Sequence, residues 1–397
     1  MNRRLTSIDA LRGIGALMVL FYHVTHHAKD NSQINTRFLL MLPLDFGYLG
    51  VPLFLVVSGF CIHLTAAKNI GREGERGFSW KSFWKRRFRR LYPPYFVTIF
   101  YSLLLSYLTR TLSFSFLDLF LHLFMLHNLF AVYVFGVGNP ALWSLGLEEQ
   151  LYALYAAYLW MRRRWKVVVV ISMTLAITLG WIYAVSGPQV LSPGQTSRWS
   201  FITWPFNYWC FWILGAIAAE AYQGTCRLPG WCYKLRTALL LIFFGIMING
   251  NTLGRINEGH LITSLDPSGK LSAVMKSVTL LSDPLFAVAF FVLVNYGVRR
   301  ETLGALKSLP VKLLATVGIM SYSLYLTHQP LVILLEKKFN LNTSLPLVGL
   351  RYALFVPIAL FVSWAFYMLI ERRFLNSKPR SAATEAVFPA MKVQVES

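Results

Sequence analysis

The chain has 397 residues, of which 56% are hydrophobic and only 14% are charged. Apolar runs of about 18 residues or more recur along its length, which argues against a soluble protein. The formal net charge of +21 does not indicate nucleic-acid binding, because the basic residues cluster at the ends of apolar segments and would meet lipid headgroups or anionic substrates there. The sequence therefore predicts an all-α polytopic membrane protein.

About ten transmembrane helices are expected. In chain order the candidate spans are 8–28, 46–66, 91–109, 144–161, 167–186, 203–222, 237–250, 277–298, 313–335 and 347–370. A further apolar stretch, 114–135, is ambiguous. If it crossed the membrane, the basic run 162–166 would lie on the opposite side from every other basic cluster. We therefore interpret 114–135 as a re-entrant or outer-surface segment, which places both termini in the cytoplasm.

The first span carries two polar residues that are costly in an apolar helix. Arg12 and His23 are eleven residues apart, so they return to nearly the same face and differ in depth by roughly 16 Å. Ionisable residues inside a membrane are functional candidates by default. The alternative is that Arg12 extends to the headgroups and His23 is a satisfied interior residue.

The third span is preceded by four arginines, Arg86, Arg87, Arg89 and Arg90. Residues three apart share a helix face, so Arg87 and Arg90 form one pair and Arg86 and Arg89 another. Guanidinium groups match the geometry of phosphate oxygens, which favours a cytoplasmic ligand with several phosphates. The alternative is a cluster that binds lipid headgroups and sets topology.

The segment 143–152 opens a helix, with Ser144 as its N-cap and two carboxylates in its first turns. We expect Glu148 or Glu149 to reach His23 and hold its tautomer, as an orienting acid does for a base in acyl transfer. The alternative role of these carboxylates is to offset the helix dipole. His328 lies at the same predicted depth as His23 and is interpreted as a supporting hydrogen-bond partner.

Two further expectations concern groups that take no direct part in the chemistry. Ser58 lies in an apolar helix beside Gly59, and we do not expect it to act as a nucleophile because no base or strained turn accompanies it. The four cysteines lack the spacing of a metal site, so no metal is expected.

These motifs together resemble the membrane-bound acyltransferase-3 family, the O-acyltransferases of bacterial surface glycans. The matching features, in order, are 11–13 followed by His23, 54–60, 87–93, 143–145 with Glu148, and 321–328. The chain is similar in this respect to O-antigen, Nod-factor and exopolysaccharide acetyltransferases. The resemblance implies that Arg12, His23, Arg87 and Arg90 are functional.

The predicted function is transfer of an acyl group, acetyl by family preference, from cytoplasmic acetyl-CoA or another acyl-CoA to a hydroxyl of a cell-surface or lipid-linked glycan. Catalysis is assigned to His23 and Glu148. Donor binding is assigned to Arg12, Arg86, Arg87, Arg89 and Arg90. Supporting roles are assigned to Ser58, Trp143, Ser144, Glu149, Tyr325 and His328.

The expected location is the bacterial inner (plasma) membrane, and the expected partners are acyl-CoA, a glycan acceptor and membrane lipids, without nucleic acid. Residues 1–371 are predicted to form one integral-membrane acyltransferase domain, followed by a disordered cytoplasmic tail at 372–397. The alternative function is a glycan or lipid transporter or flippase, in which the arginines bind headgroups and His23 relays protons.

Overall fold

The structure is a computed structural model that describes residues 4–26, 46–69, 79–113, 115–186, 203–249, 252, 278–306, 308–339 and 345–375. The predicted outer loop 187–202, nearly all of the loop 251–275 and the tail from 376 onward lie outside the described residues. The described residues contain α-helices, short 3-10 turns and one π-turn, and no β-strand. The predicted all-α class is therefore confirmed.

The helices begin and end close to the predicted spans. In chain order they are α1 (Thr6–His26), α2 (Gly50–His63), α3 (Trp80–Leu108), α4 (Phe116–Leu123), α5 (Trp143–Arg164), α6 (Val167–Ser186), α7 (Pro205–Tyr222), α8 (Leu235–Met247), α9 (Ser282–Thr302), α10 (Leu309–Ile319), α11 (Ser321–Phe339), α12 (Leu345–Phe366) and α13 (Arg372–Phe374). A π-turn, Tyr367–Glu371, joins α12 to α13. 3-10 turns at Phe46–Leu49, Ala67–Asn69, His127–Leu129, Pro140–Leu142 and Gly230–Tyr233 complete the regular structure.

Five helical stretches in the described residues are long and apolar enough to cross a membrane. They are Thr6–Thr25, Phe46–His63, Trp80–Leu108, Val167–Val185 and Gly349–Phe374. A sixth span is formed if α10 and α11, which meet at a bend of 71°, are taken together. Each of the ten predicted spans coincides with a helix or with this bent pair, but the count of ten membrane crossings stays a prediction.

The described part of the predicted outer-surface segment, 115–135, does not contain a helix that could cross the membrane. Its helix α4 has eight residues and is about 12 Å long, and turns follow it. The segment folds inward, where the Tyr95 hydroxyl of α3 donates to the His122 carbonyl oxygen (2.8 Å) and the Asn128 amide donates to Gln150 of α5 (3.1 Å). Irregular backbone at membrane depth needs such protein partners because no water is available there.

Helices α1 and α2 run antiparallel. Gly47, just before α2, packs against Met18 and Tyr22, and Gly50 at the start of α2 packs against Gly15. Moving forward along α2 therefore leads back along α1. The absence of a side chain at these positions lets the two backbones approach closely.

The two ends of the bundle are defined by contacts between helix termini. The Glu301 carboxylate, at the end of α9, accepts hydrogen bonds from the backbone N–H groups of Thr6 and Ser7 at the start of α1 (2.9 and 2.8 Å). At the end of α5, Arg162 donates two hydrogen bonds to Glu220 of α7 (3.0 and 2.6 Å), beside the end of α2. We call the end that holds the start of α1 the arginine end, and the opposite end the histidine end.

Close packing of α2 against α7 depends on two glycines. A Cβ at Gly59 would meet the Trp212 backbone, and one at Gly215 would meet the Val56 backbone. Backbone atoms cannot move aside as a flexible side chain can, so any larger residue at these positions separates the helices.

Replacing Gly59 by leucine is expected to destabilise the protein by about 1–3 kcal/mol, the usual range for overpacking a tight contact. The measurement is the midpoint of thermal unfolding of the full chain in detergent. Gly180→Leu on α6 is the matched control, because no atom lies within 4 Å of a Cβ built there. Equal midpoints for both variants would contradict this account of α2–α7 packing.

Candidate active site

A cavity of about 110 Å³ lies towards the arginine end, between α1, α2, α3, α5 and α11. Its polar wall consists of Arg12, Ser58, Cys61, Arg87, Arg90, Ser144, Glu148, Tyr152, Ser321, Tyr322 and Tyr325. Three arginines and one glutamate give this wall an excess of two positive charges. We call it the arginine cavity, and its charge suits an anionic ligand.

Only one of the two arginine pairs on α3 lines the cavity. Arg87 and Arg90 face it, whereas Arg86 and Arg89 are exposed. The Arg87 guanidinium lies over the rings of Phe83 and Tyr152, 5.6 and 5.8 Å from their centroids. Such contacts with aromatic faces stabilise a cation away from water. Helix periodicity correctly grouped Arg87 with Arg90, but it did not show that this pair points into the cavity.

Glu148 lies in the arginine cavity and contacts different partners from those expected. Its Oε1 accepts hydrogen bonds from the Ser58 hydroxyl (2.5 Å) and the Tyr152 hydroxyl (2.6 Å). Ser58 is eight residues beyond Gly50, which is level with Gly15, so it lies roughly 12 Å towards the arginine end. Glu148 therefore lies on the arginine-end side of Gly15, as Arg12 does, and not beside His23, because α5 begins inside the bundle after the segment 115–135.

Of the other residues assigned supporting roles, Ser144 and Tyr325 line this cavity. The Ser144 and Tyr325 hydroxyls are 2.5 Å apart, and Tyr325 also donates to the Ala141 carbonyl oxygen (3.0 Å). The Trp143 ring lies 6.2 Å from that of Tyr208. Glu149 is partly buried and interacts with the Tyr92 hydroxyl, away from the cavity wall.

Tyr152 is a cavity residue to which the sequence analysis gave no role. It bonds to Glu148 and lies under Arg87. A signal was present, because Tyr152 follows Glu148 by four residues and such residues share a helix face. Ser321 is a second such residue, and its hydroxyl is buried without a hydrogen-bond partner in the described part of the chain.

His23 and His328 lie together at the histidine end. The His328 Nε2 and His23 Nδ1 atoms are 3.1 Å apart, and the ring centroids are 4.9 Å apart. Tyr325 connects this pair to the arginine cavity, since its hydroxyl lines the cavity and its carbonyl oxygen lies 2.9 Å from His328 Nδ1. The predicted match in depth between the two histidines corresponds to this direct contact.

The hydrogen bonds determine the tautomer of each histidine. His328 Nδ1 faces the Leu324 and Tyr325 carbonyl oxygens (3.0 and 2.9 Å), so it carries a proton and Nε2 is an acceptor in the neutral ring. His23 Nδ1 faces that acceptor and the Val19 carbonyl oxygen (2.9 Å). His23 Nδ1 is therefore the donor, and the basic nitrogen of His23 is Nε2.

In the part of the chain that the structure describes, no group of three or more His, Cys, Asp or Glu side chains is placed to hold a metal ion.

A family model described as an acyltransferase domain matches residues 5–368. The chain therefore belongs to the acyltransferase domain family, and the resemblance suggested by the motifs is confirmed.

Curated proteins with related sequences are named as O-acetyltransferases. The chain is 24% identical over 360 residues to "Peptidoglycan O-acetyltransferase OatA" of Listeria monocytogenes, a match that covers 83% of this chain and 49% of the relative. It is 27% identical over 217 residues to "Putative peptidoglycan O-acetyltransferase YrhL" of Bacillus subtilis, covering 50% of this chain and 32% of the relative. The chain thus spans half or less of the length of these relatives. No solved structure matches it.

The tautomer assignment gives a spectroscopic prediction. In protein labelled with ¹⁵N-histidine, the neutral ring of His23 is expected to give a protonated signal for Nδ1 and an unprotonated signal for Nε2, because both neighbours of Nδ1 are acceptors. The His23→Gln variant assigns the signals. His328→Leu removes one acceptor and should shift the His23 Nδ1 resonance. A proton found on His23 Nε2 would contradict the assignment.

Proposed function

We propose that this chain is a membrane-bound O-acyltransferase that moves an acetyl group from cytoplasmic acetyl-CoA to a hydroxyl of a cell-surface or lipid-linked glycan. The observation that carries the proposal is the connection, through Tyr325, between a cavity lined by three arginines and a hydrogen-bonded histidine pair. The names of the relatives support a glycan acceptor and an acetyl group.

The donor would bind in the arginine cavity through its phosphates. Arg87 and Arg90 of α3 line the cavity, and so does Arg12 of α1. Planar guanidinium groups bind phosphate oxygens bidentately, and the surplus positive charge of the wall favours a polyanion such as acyl-CoA. The separation in depth of Arg12 and His23, roughly 16 Å, is comparable to a pantetheine arm.

His23 would act as the general base. Its Nε2 takes the proton of the acceptor hydroxyl as the oxygen attacks the acyl carbonyl carbon. The tetrahedral intermediate then expels the thiolate of CoA, which recovers that proton from the imidazolium, so the products are the acetyl ester and CoA thiol. His328 holds Nδ1 of His23 and thereby leaves Nε2 as the base, a positioning role like that of an orienting residue in a triad. An acyl group carried on His23 itself is the less direct alternative.

The proposed topology has ten spans, with the arginine end and both termini in the cytoplasm of a bacterium and the domain extending over 1–371. Support comes from the charges, since Arg162–Arg164 at the end of α5 and Arg299–Arg300 at the end of α9 lie at the same end of the bundle as the start of α1. Positive charge of this kind favours the cytoplasmic side.

A glycan or lipid transporter remains the second candidate. The bend of 71° between α10 and α11 favours it, because broken helices at membrane depth often line transport sites. Release of labelled acetyl from acetyl-CoA by the purified full chain separates the two candidates, since a transporter without acyl-transfer chemistry would leave the donor intact.

The first test concerns the arginines. Arg87→Ala and Arg90→Ala are each expected to raise the KM for acetyl-CoA about tenfold or more, because each removes charge-assisted hydrogen bonds to phosphate. Arg86→Ala and Arg89→Ala are the matched controls on the same helix and should change it little, because they are exposed. Equal effects of all four substitutions would contradict donor binding in the cavity.

The second test concerns the base. His23→Ala is expected to lower kcat by about 100-fold or more, the usual contribution of general base catalysis, while CoA binding and the unfolding midpoint stay close to those of the unsubstituted chain. Retention of full transfer activity in this variant would reject His23 as the base.

A further inference from the structure

Six side chains with hydroxyl, amide or carboxylate groups meet at the histidine end, next to His23. They come from the end of α1, the turn before α2, the start of α7, the second residue after α8 and the start of α9. They are Tyr22, Tyr48, Tyr208, Asn249, Ser282 and Asp283. We call them the tyrosine cluster. The sequence analysis singled out none of them, since they are distant in sequence and stand alone in apolar surroundings.

Aromatic and hydrogen-bonding contacts join the cluster to His23. The Tyr22 ring meets the His23 ring edge-on, with centroids 5.3 Å apart, and lies 6.2 Å from the Tyr48 ring. The Asn249 amide donates to the Tyr48 hydroxyl (3.0 Å) and to the Ser282 hydroxyl (2.9 Å). These contacts give the cluster a fixed arrangement across helices that are remote along the chain.

Asp283 supplies the charge of the cluster. It directly follows Ser282, whose hydroxyl is bonded to the Asn249 amide, and it is partly buried at the start of α9. Among the described residues, no arginine, lysine or histidine forms an ion pair with it. A partly buried carboxylate accepts hydrogen bonds, and a ligand that bears hydroxyl groups can donate them.

Tyr208 links the cluster to the deep end of the arginine cavity. Its ring lies 6.2 Å from that of Trp143, the residue before Ser144 of the cavity wall. The cluster therefore lies beyond the cavity, on the far side from Arg12 and adjacent to the base. A ligand bound there could present a hydroxyl to His23 while the donor occupies the arginine cavity.

We propose that the tyrosine cluster is the acceptor subsite and that it takes a neutral sugar ring, an inference that rests on the proposed function. Tyrosine rings offer apolar surface to the C–H faces of a pyranose, while the carboxylate and amide bind its hydroxyls. The carboxylate of Asp283 repels an acidic sugar at the same position, which selects against uronic acids.

The test is calorimetric titration of the full chain in detergent with two probes of equal length, neutral chitotetraose and acidic tetragalacturonate. We expect chitotetraose to bind and tetragalacturonate not to bind. Asp283→Asn and Tyr48→Leu should each weaken chitotetraose binding about tenfold or more, through loss of a charged hydrogen-bond acceptor and of a ring face. Tyr183→Leu is the matched control, since Tyr183 is 68% exposed on α6.

CoA titrated into the same samples distinguishes this inference from the proposed function. Unchanged CoA affinity in the cluster variants shows that they are folded and that the defect is confined to the acceptor. If the unsubstituted chain does not bind CoA, the proposed donor is rejected, and the conclusion drawn from chitotetraose binding is unaffected. Equal chitotetraose affinity in all variants, preference for tetragalacturonate, or no binding of either probe would overturn the subsite.

Discussion

The arrangement of this protein depends on the cost of holding charged side chains among apolar helices. An isolated guanidinium removed from water is strongly unfavourable, and the cost falls when cations share polar partners and ring faces. Arg12, Arg87 and Arg90 share one cavity, and Arg87 also rests on two aromatic rings. The single carboxylate that lines this cavity, Glu148, is itself bonded to two hydroxyls. The wall thus carries a net positive charge, which a bound anion would neutralise.

The non-spanning segment makes this cavity possible. Two of its polar side chains are bonded within the protein: the Asp118 carboxylate accepts from the Val137 backbone N–H (3.1 Å), and Asn128 donates to the Thr203 carbonyl oxygen (3.1 Å). Because the chain turns back inside the bundle, α5 begins beside Tyr325 and not at the surface. Its first turns then place Glu148 in the same cavity as Arg12. Had 114–135 crossed the membrane, the same carboxylate would lie at the surface or at the other end.

The sequence predicted features that depend on local periodicity, and it failed where the position of a helix depended on its neighbours. Apolar runs located most helix ends within a few residues, although α3 begins at Trp80 and not at 91. Counting residues along two helices placed His23 and His328 at one depth. Periodicity also paired Arg87 with Arg90, but only packing against Phe83 and Tyr152 shows that this pair faces inward. The expected contact of Glu148 with His23 assumed that α5 starts at the surface, and no local signal in 143–152 indicates a deeper start. The tyrosine cluster had no local signal at all.

Helix α11 fixes the distance between the two ends of the site. It starts at the arginine cavity with Ser321 and reaches His328 seven residues later, a rise of roughly 10 Å. Near its start, the Glu371 carboxylate accepts from the Ser323 backbone N–H (3.1 Å). Near its middle, Pro330 lacks the N–H that would bond to the Leu326 carbonyl oxygen, and the Asn139 amide occupies that oxygen instead (3.0 Å). The rise per residue of a helix sets this distance, and in the proposed reaction the flexible pantetheine arm of the donor would carry the acyl group across it.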